Sequence, residues 1–200
     1  MTAHHLRLGF LASRNGSAMR AILSAIARGE LSAEARLVVS NNRQAPALTH
    51  AAGLGLPTCC IPTKADPAAA DVALTQAMEA AGADLIVLSG YLRKLGPVFL
   101  RRFAGRVLNI HPGPLPQFGG EGMYGRRVHE AVLAAGVPES AAVIHLVDGD
   151  YDQGPEIARV SAPVLADDTP ETLEARITAL EPPLFVRTLQ DISRGALPLP

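Results

Sequence analysis

Apolar runs alternate with stripes of helical spacing along this chain. Leu6 to Ala12 is a nearly continuous apolar run and predicts a buried strand. Ser17 to Arg28 puts Met19, Ile22, Leu23 and Ile26 on one face, the spacing of a half-buried helix. Ala35 to Ser40 predicts a second strand, Ala45 to Leu54 a second helix ending near Gly55, and Thr58 to Ile61 a third, short strand. Asp71 to Ala81, closed by Gly82, predicts a third helix. The run Asp84 to Ser89, DLIVLS, is apolar enough for the centre of a parallel sheet. A short helix over Gly96 to Phe103 and a fifth strand over Arg106 to Ile110 complete the alternation. That alternation is the mark of an α/β fold with an open sheet, whose ligands sit outside the carboxyl ends of the strands.

The pattern changes after Pro112. Gly113 to Gly125, GPLPQFGGEGMYG, predicts a mobile lid or binding loop. Arg126 to Ala135 predicts a helix. Ala141 to Val147 and Pro155 to Val164 predict two strands, joined by the acidic stretch Asp148-Gly149-Asp150-Tyr151-Asp152. Thr169 to Arg194 predicts a long final helix, capped by Asp168 or Thr169 with Glu171 in its first turn, and bent or interrupted at Pro182-Pro183.

Composition narrows the class. Two hundred residues, 48% of them hydrophobic, form a single domain with a sizeable core. Aromatics at 4%, with no Trp, and a net charge of −1 argue against a nucleic-acid binder, which would carry stacking platforms or a basic stripe. A local anion site stays open, because backbone N–H groups at a helix start bind anions without net positive charge. Cys59 and Cys60 are adjacent, too few for a disulfide framework or a zinc site, and are expected as small buried hydrophobes at a strand end. No apolar run reaches the roughly 20 residues of a membrane span, and the start lacks the pattern of a signal peptide. The expectation is a soluble, cytoplasmic protein.

The chemically suggestive residues cluster at the strand ends. Ser13-Arg14-Asn15-Gly16-Ser17 joins the first strand to the first helix. Gly16 allows close backbone approach, and Ser17 opens a helix whose free N–H groups favour an anion. It is neither a Walker loop nor G-x-G-x-x-G, and an ordinary turn with an N-cap is the plainer alternative. The run Val107-Leu108 delivers Asn109 and His111 to the mouth of the sheet, and Asp152-Gln153-Gly154-Pro155 follows later. An amide can donate to an oxyanion, an imidazole can carry a proton near pH 7, and a carboxylate can orient it. With no activated nucleophile in view, that set suits acyl or formyl transfer to an amine that attacks directly. A metal reading would use His111, His145 and Asp152, without compact ligand spacing. A calcium loop over Asp148, Asp150 and Asp152 lacks the closing Glu. No G-x-S-x-G elbow occurs.

RVLNIHPGPLP, the pattern from His145 to the D-x-G-P of Asp152 to Pro155, and the opening SRNGS loop together resemble the phosphoribosylglycinamide formyltransferases. The resemblance runs from Leu6 to Leu197. It implies one formyltransferase domain over 1–200: an open, mostly parallel Rossmann-like sheet flanked by helices, with an antiparallel C-terminal extension. It implies 10-formyltetrahydrofolate as co-substrate, no metal, small-molecule partners only, and room for a homodimer. Asn109, His111 and Asp152 match the family's catalytic trio. Asn15, Gly16 and Ser17 match its phosphate loop, and Glu181 the acidic residue that meets the glycinamide portion. Tyr91, Leu92, Arg93 and Leu95, with His145, Val147 and Asp148, match the folate pocket. The chain departs from the pattern at Ala18, where Asn is frequent, and over Lys64 to Ala70, where a basic residue is missing; Lys64 or Arg126 would stand in for it. An amino-sugar formyltransferase and a non-catalytic folate or nucleotide binder are the alternatives, and turnover with each amine separates them.

Overall fold

In a computed structural model the chain is described over residues 4–200, so the first three residues of the expected 1–200 domain lie outside the described part. Thirteen elements follow in order: β1 (Leu6–Leu11), α1 (Ser17–Ala27), β2 (Ala33–Ser40), α2 (Pro46–Gly53), β3 (Thr58–Cys60), α3 (Pro67–Ala80), β4 (Leu85–Leu88), α4 (Pro97–Arg102), β5 (Val107–His111), α5 (Arg126–Ala135), β6 (Glu139–Leu146), β7 (Glu156–Pro163) and α6 (Pro170–Ser193). The strands make one seven-stranded sheet in the order β3-β2-β1-β4-β5-β6-β7. Pairing is parallel from β3 through β5, then antiparallel for β5–β6 and β6–β7. The expected mostly parallel sheet with an antiparallel C-terminal extension is what forms.

Because side chains alternate along each strand, the two faces of the sheet have separate cores. One face carries Leu8, Phe10, Val38, Leu85, Val87, Leu108 and Ile144, packed under side chains of α1, α2, α5 and α6. The other carries Leu11, Leu37, Val39, Ile86, Leu88 and Val107, packed under Leu74 and Met78 of α3 and Phe99 of α4. On this second face the helices stop at β5. Asn109 and His111 lie two and four residues beyond Val107 and share its face. They therefore stand where loops, not a helix, form the cover.

Three expectations need correction. The third helix begins at Pro67, not Asp71: Asp66 caps it by accepting from Ala69 N–H at 2.9 Å, and Pro67 supplies the fixed φ that suits a first helical position. The small, weakly patterned run Pro67 to Ala70 hid that turn. The double proline does not interrupt the last helix, which runs from Pro170 to Ser193 through Pro182 and Pro183. Packing of Leu184, Phe185 and Leu189 into the core holds the helix across the two missing N–H groups. The cysteines are half-buried rather than core residues, since β3 is an edge strand.

The Gly-Pro-rich segment after β5 is tied down more than its composition implied. Phe118 is buried in the first core, its N–H donates to Pro114 O at 2.9 Å, and its carbonyl reaches His111.

Candidate functional site

Antiparallel pairing sets Asn109 directly opposite His145, and His111 opposite Val143. A register shift in β6 between Ile144 and His145 re-aims His145 at this point. Asn109 Nδ2 lies 3.1 Å from His145 Nε2. The loop after β6 returns Asp152 between the two imidazoles. One carboxylate oxygen is 3.4 Å from His111 Nδ1 and the other 3.3 Å from His145 Nε2. Gly120 N–H donates to Asp152 at 3.1 Å. His111 is 3% exposed, so this is a desolvated cluster.

The turn that presents Asp152 is demanding. Asp152 itself has a positive φ of 56°, which a short polar residue tolerates better than most. Two residues on, a Cβ at Gly154 would fall on the Leu146 carbonyl, so only glycine lets the loop close against β6.

Carbonyl partners fix the ring tautomers. His111 Nε2 is 2.7 Å from Phe118 O, an acceptor only, so Nε2 carries a hydrogen and Nδ1 is the nitrogen that gains or loses a proton, facing Asp152. His145 Nδ1 is 2.8 Å from Leu146 O and likewise carries a hydrogen. In the neutral ring its Nε2 then accepts from the Asn109 amide; in the protonated ring it donates, to Asp152. Burial pulls the His111 imidazole below its usual pKa, against the attraction of Asp152. Burial pushes the Asp152 carboxyl up, but the His145 hydrogen bond, the nearby His111 and the Gly120 N–H outweigh it and hold the carboxyl below the usual range. A carboxylate, a neutral imidazole whose free nitrogen faces it, and an amide donor are thus held together at neutral pH. Such a set can move one proton and stabilise one developing oxyanion.

A cleft of ≈ 60 Å³ opens beside the cluster, lined by Leu88, Tyr91, Arg93, Leu95, Asn109, His145 and Val147. Lys94 and Asp150, 2.8 Å apart, and Tyr151 close its rim. Burial pushes the Tyr91 hydroxyl up to about 12. Tyr91, Arg93, Leu95, His145 and Val147 of the expected folate residues therefore converge on the trio. Leu92 and Asp148 do not line this cleft; Leu92 turns out toward a second pocket and is 43% exposed.

The expected phosphate loop caps the carboxyl edge of β1. Gly16 takes a left-handed φ of 68° at the N-cap of α1, Ser17 opens the helix without capping it, and Asn15 is exposed. Ser13 ties this loop to its neighbours: its hydroxyl donates to Asn41 at 2.6 Å and accepts from Leu92 N–H at 2.8 Å. Glu181 lies on α6, makes no hydrogen bond or ion pair among the described residues, and burial pushes its carboxyl up to about 7. Of the two cations that could stand in for the missing basic residue, Arg126 is held by Glu171 and Glu174, whereas Lys64 lines the second pocket. The roles of His145 between Asn109 and Asp152, and of the Phe118 carbonyl, had no signal in the sequence pattern. Among the described residues no group of three His, Cys, Asp or Glu side chains could hold a metal ion; His111 and His145 lie 3.4 and 3.3 Å from the Asp152 carboxylate.

The family profile described as formyl transferase matches residues 6–189. A phosphoribosylglycinamide formyltransferase of Mycobacterium tuberculosis is 42% identical over 182 residues, 90% of this chain and 81% of the relative. A chloroplastic phosphoribosylglycinamide formyltransferase of Vigna unguiculata is 34% identical over 95% of this chain, which spans 62% of that relative's length. The solved phosphoribosylglycinamide formyltransferase of Coxiella burnetii superposes with a TM-score of 0.87 at 36% identity, covering 95% of this chain and 88% of that one. The trio, the cleft and this match over nearly the whole length agree: the chain belongs to the formyl transferase family.

Proposed function

We propose that this chain transfers the formyl group of 10-formyltetrahydrofolate to the amine of N1-(5-phospho-D-ribosyl)glycinamide, a step of de novo purine biosynthesis. The observation that carries the reading is Asp152, half-buried between His111 and His145 beside Asn109. The free amine attacks the formyl carbon and a carbon–nitrogen bond forms. Charge develops on the formyl oxygen. His145 holds one N–H of the Asn109 amide, leaving the second for that oxygen. The attacking nitrogen must shed a proton, and the bond to folate N10 must break with a proton delivered there. Asp152 is ionised and next to the proton-exchanging nitrogen of His111, so this pair carries the proton between the two nitrogens. The cleft of Tyr91, Leu95 and Val147 takes the pterin, the Asn15–Ser17 loop takes the phosphate, and Glu181 meets the glycinamide end. The reading carries with it small-molecule partners and a cytoplasmic setting. No helix among the described residues is long and apolar enough to cross a membrane.

The test is a spectrophotometric assay of formyl loss from 10-formyltetrahydrofolate with glycinamide ribonucleotide as acceptor. Turnover is expected, and Asp152→Asn lowers kcat about 10²–10⁴-fold while circular dichroism stays unchanged. Turnover with an amino-sugar nucleotide but none with this amine overturns the reading, and near-normal kcat in the variant removes Asp152 from the mechanism.

A further inference from the structure

The segment Phe118-Gly119-Gly120 touches both members of the pair that moves the proton. Phe118 O is 2.7 Å from His111 Nε2, and Gly120 N–H donates to Asp152 Oδ2 at 3.1 Å. Asp152 Oδ2 is also the oxygen that lies 3.4 Å from His111 Nδ1. The contacts close a circle: imidazole, carboxylate, Gly120, Gly119, Phe118 and back to the imidazole. Each main-chain group has the polarity its partner needs. A carbonyl can only accept, so it keeps a hydrogen on Nε2 and leaves Nδ1 toward Asp152. An amide N–H can only donate, so it favours the ionised carboxyl.

The three residues suit this seat for different reasons. Phe118 is the anchor: its side chain is 5% exposed and belongs to the first core. The turn that leads to it is closed on itself, with Phe118 N–H donating to Pro114 O and Gly119 N–H to Pro116 O. Gly119 has no room for a side chain. A Cβ there would fall on the Leu115 side chain and within 2.9 Å of the Asp152 Cβ. Gly120 has a φ of 103°, which side chains avoid, and that backbone aims its N–H at the carboxylate. A loop that served only as cover would not need its polar groups on these two side chains.

We infer that Phe118, Gly119 and Gly120 are positioning residues for the proton pair: through main-chain groups alone they fix the tautomer of His111 and the place of Asp152 against it. The inference rests on the proposed proton relay between those two side chains. Without the seat both side chains remain, but the imidazole is free to exchange its hydrogen between the two nitrogens. The carboxylate is then free to turn toward His145, whose Nε2 already lies 3.3 Å from its other oxygen.

The test reads the imidazole itself and needs no substrate. Nitrogen NMR shifts of His111, assigned by difference from His111→Asn, are expected to show one neutral tautomer in the parent, with hydrogen on Nε2. Both tautomers are expected in Gly119→Ala, whose Cβ displaces Asp152, and in Phe118→Ala, which frees the anchor. In each, kcat for formyl transfer to glycinamide ribonucleotide falls about 10–10²-fold, part of what proton transfer contributes, while KM for either substrate stays within about twofold. Phe118→Leu keeps an apolar anchor and the carbonyl, and restores both the single tautomer and kcat. Hydrogen on Nδ1 in the parent overturns the inference, a result that needs no variant to fold. A parent-like His111 spectrum with parent-like kcat in the alanine variants overturns it too, since Phe118 then only fills core. A raised KM with kcat intact assigns the segment to substrate binding and also overturns it. The expected tautomers without turnover of this amine support the positioning of the pair and reject the formyl-transfer reading.

Discussion

Glu181 is a half-buried carboxyl with no hydrogen-bond or ion-pair partner among the described residues. Its carboxyl is pushed up to about 7 by burial alone, with no partner to stabilise the ion. In the unfolded chain it ionises at an ordinary value, 4.5. Between these values the folded state holds the proton and the unfolded state releases it, so stability falls as pH rises through the window. The loss is complete above 7 and absent below 4.5. Glu181→Gln is therefore expected to gain up to about 3 kcal/mol relative to the parent on going from pH 4.5 to pH 8. Comparing melts at the two pH values cancels the cost of the amide itself. A pH-independent difference between the two proteins would show that Glu181 is not desolvated. The same substitution raises KM for the amine substrate if Glu181 meets it, the usual trade of stability against binding. Residues of this kind were readable from sequence only where a motif named them. Asn109, His111 and Asp152 sit in recognisable strings. His145 as the partner of both Asn109 and Asp152 depends on strand register, and the Phe118 carbonyl on the path of a loop, and neither is encoded in local spacing.

Between elements, the clearest device is a cap lent by one helix to another. Gly96 begins α4 without a side-chain cap of its own. Asp71, one turn into α3 and 7% exposed, accepts from Val98 N–H at 2.8 Å and from Phe99 N–H at 3.1 Å. A carboxylate there also meets the positive end of the short helix. α4 follows directly on the segment that carries Tyr91 to Leu95, so the cap fixes one wall of the cleft. Asp71→Ala leaves two buried donors unsatisfied and is expected to cost about 2–4 kcal/mol, read as a lower urea midpoint at constant m-value. A loss below the error of the midpoint would mean that water replaces the carboxylate. The strands and most helices were legible because their burial patterns are local. The start of α3 was not, because Pro67 to Ala70 carries little apolar signal, and no local pattern marks Asp71 as the cap of α4. The long α6 was legible in extent but not in continuity, since tertiary packing overrides the propensity of two prolines.

For the molecule as a whole, the decisive asymmetry is between the two faces of the sheet. One is covered from end to end by α1, α2, α5 and α6, while on the other α3 and α4 stop at β5. This could not be read from strand order, because both faces are apolar in β4 and the helices' partners are distant in sequence. The stretch with no helix over it holds Asn109 and His145, with Leu88, Leu95 and Val147 alongside. A planar ring that settles there takes the position of a missing piece of core. Ligand binding then has the thermal signature of a small act of folding. Apolar surface leaves water, so the heat capacity of the complex is lower than that of its separated parts, and the binding enthalpy grows more negative with temperature. Calorimetric titrations with tetrahydrofolate at several temperatures measure that slope. A slope of zero would mean that the ring stays in water and the gap in the second layer is only a gap.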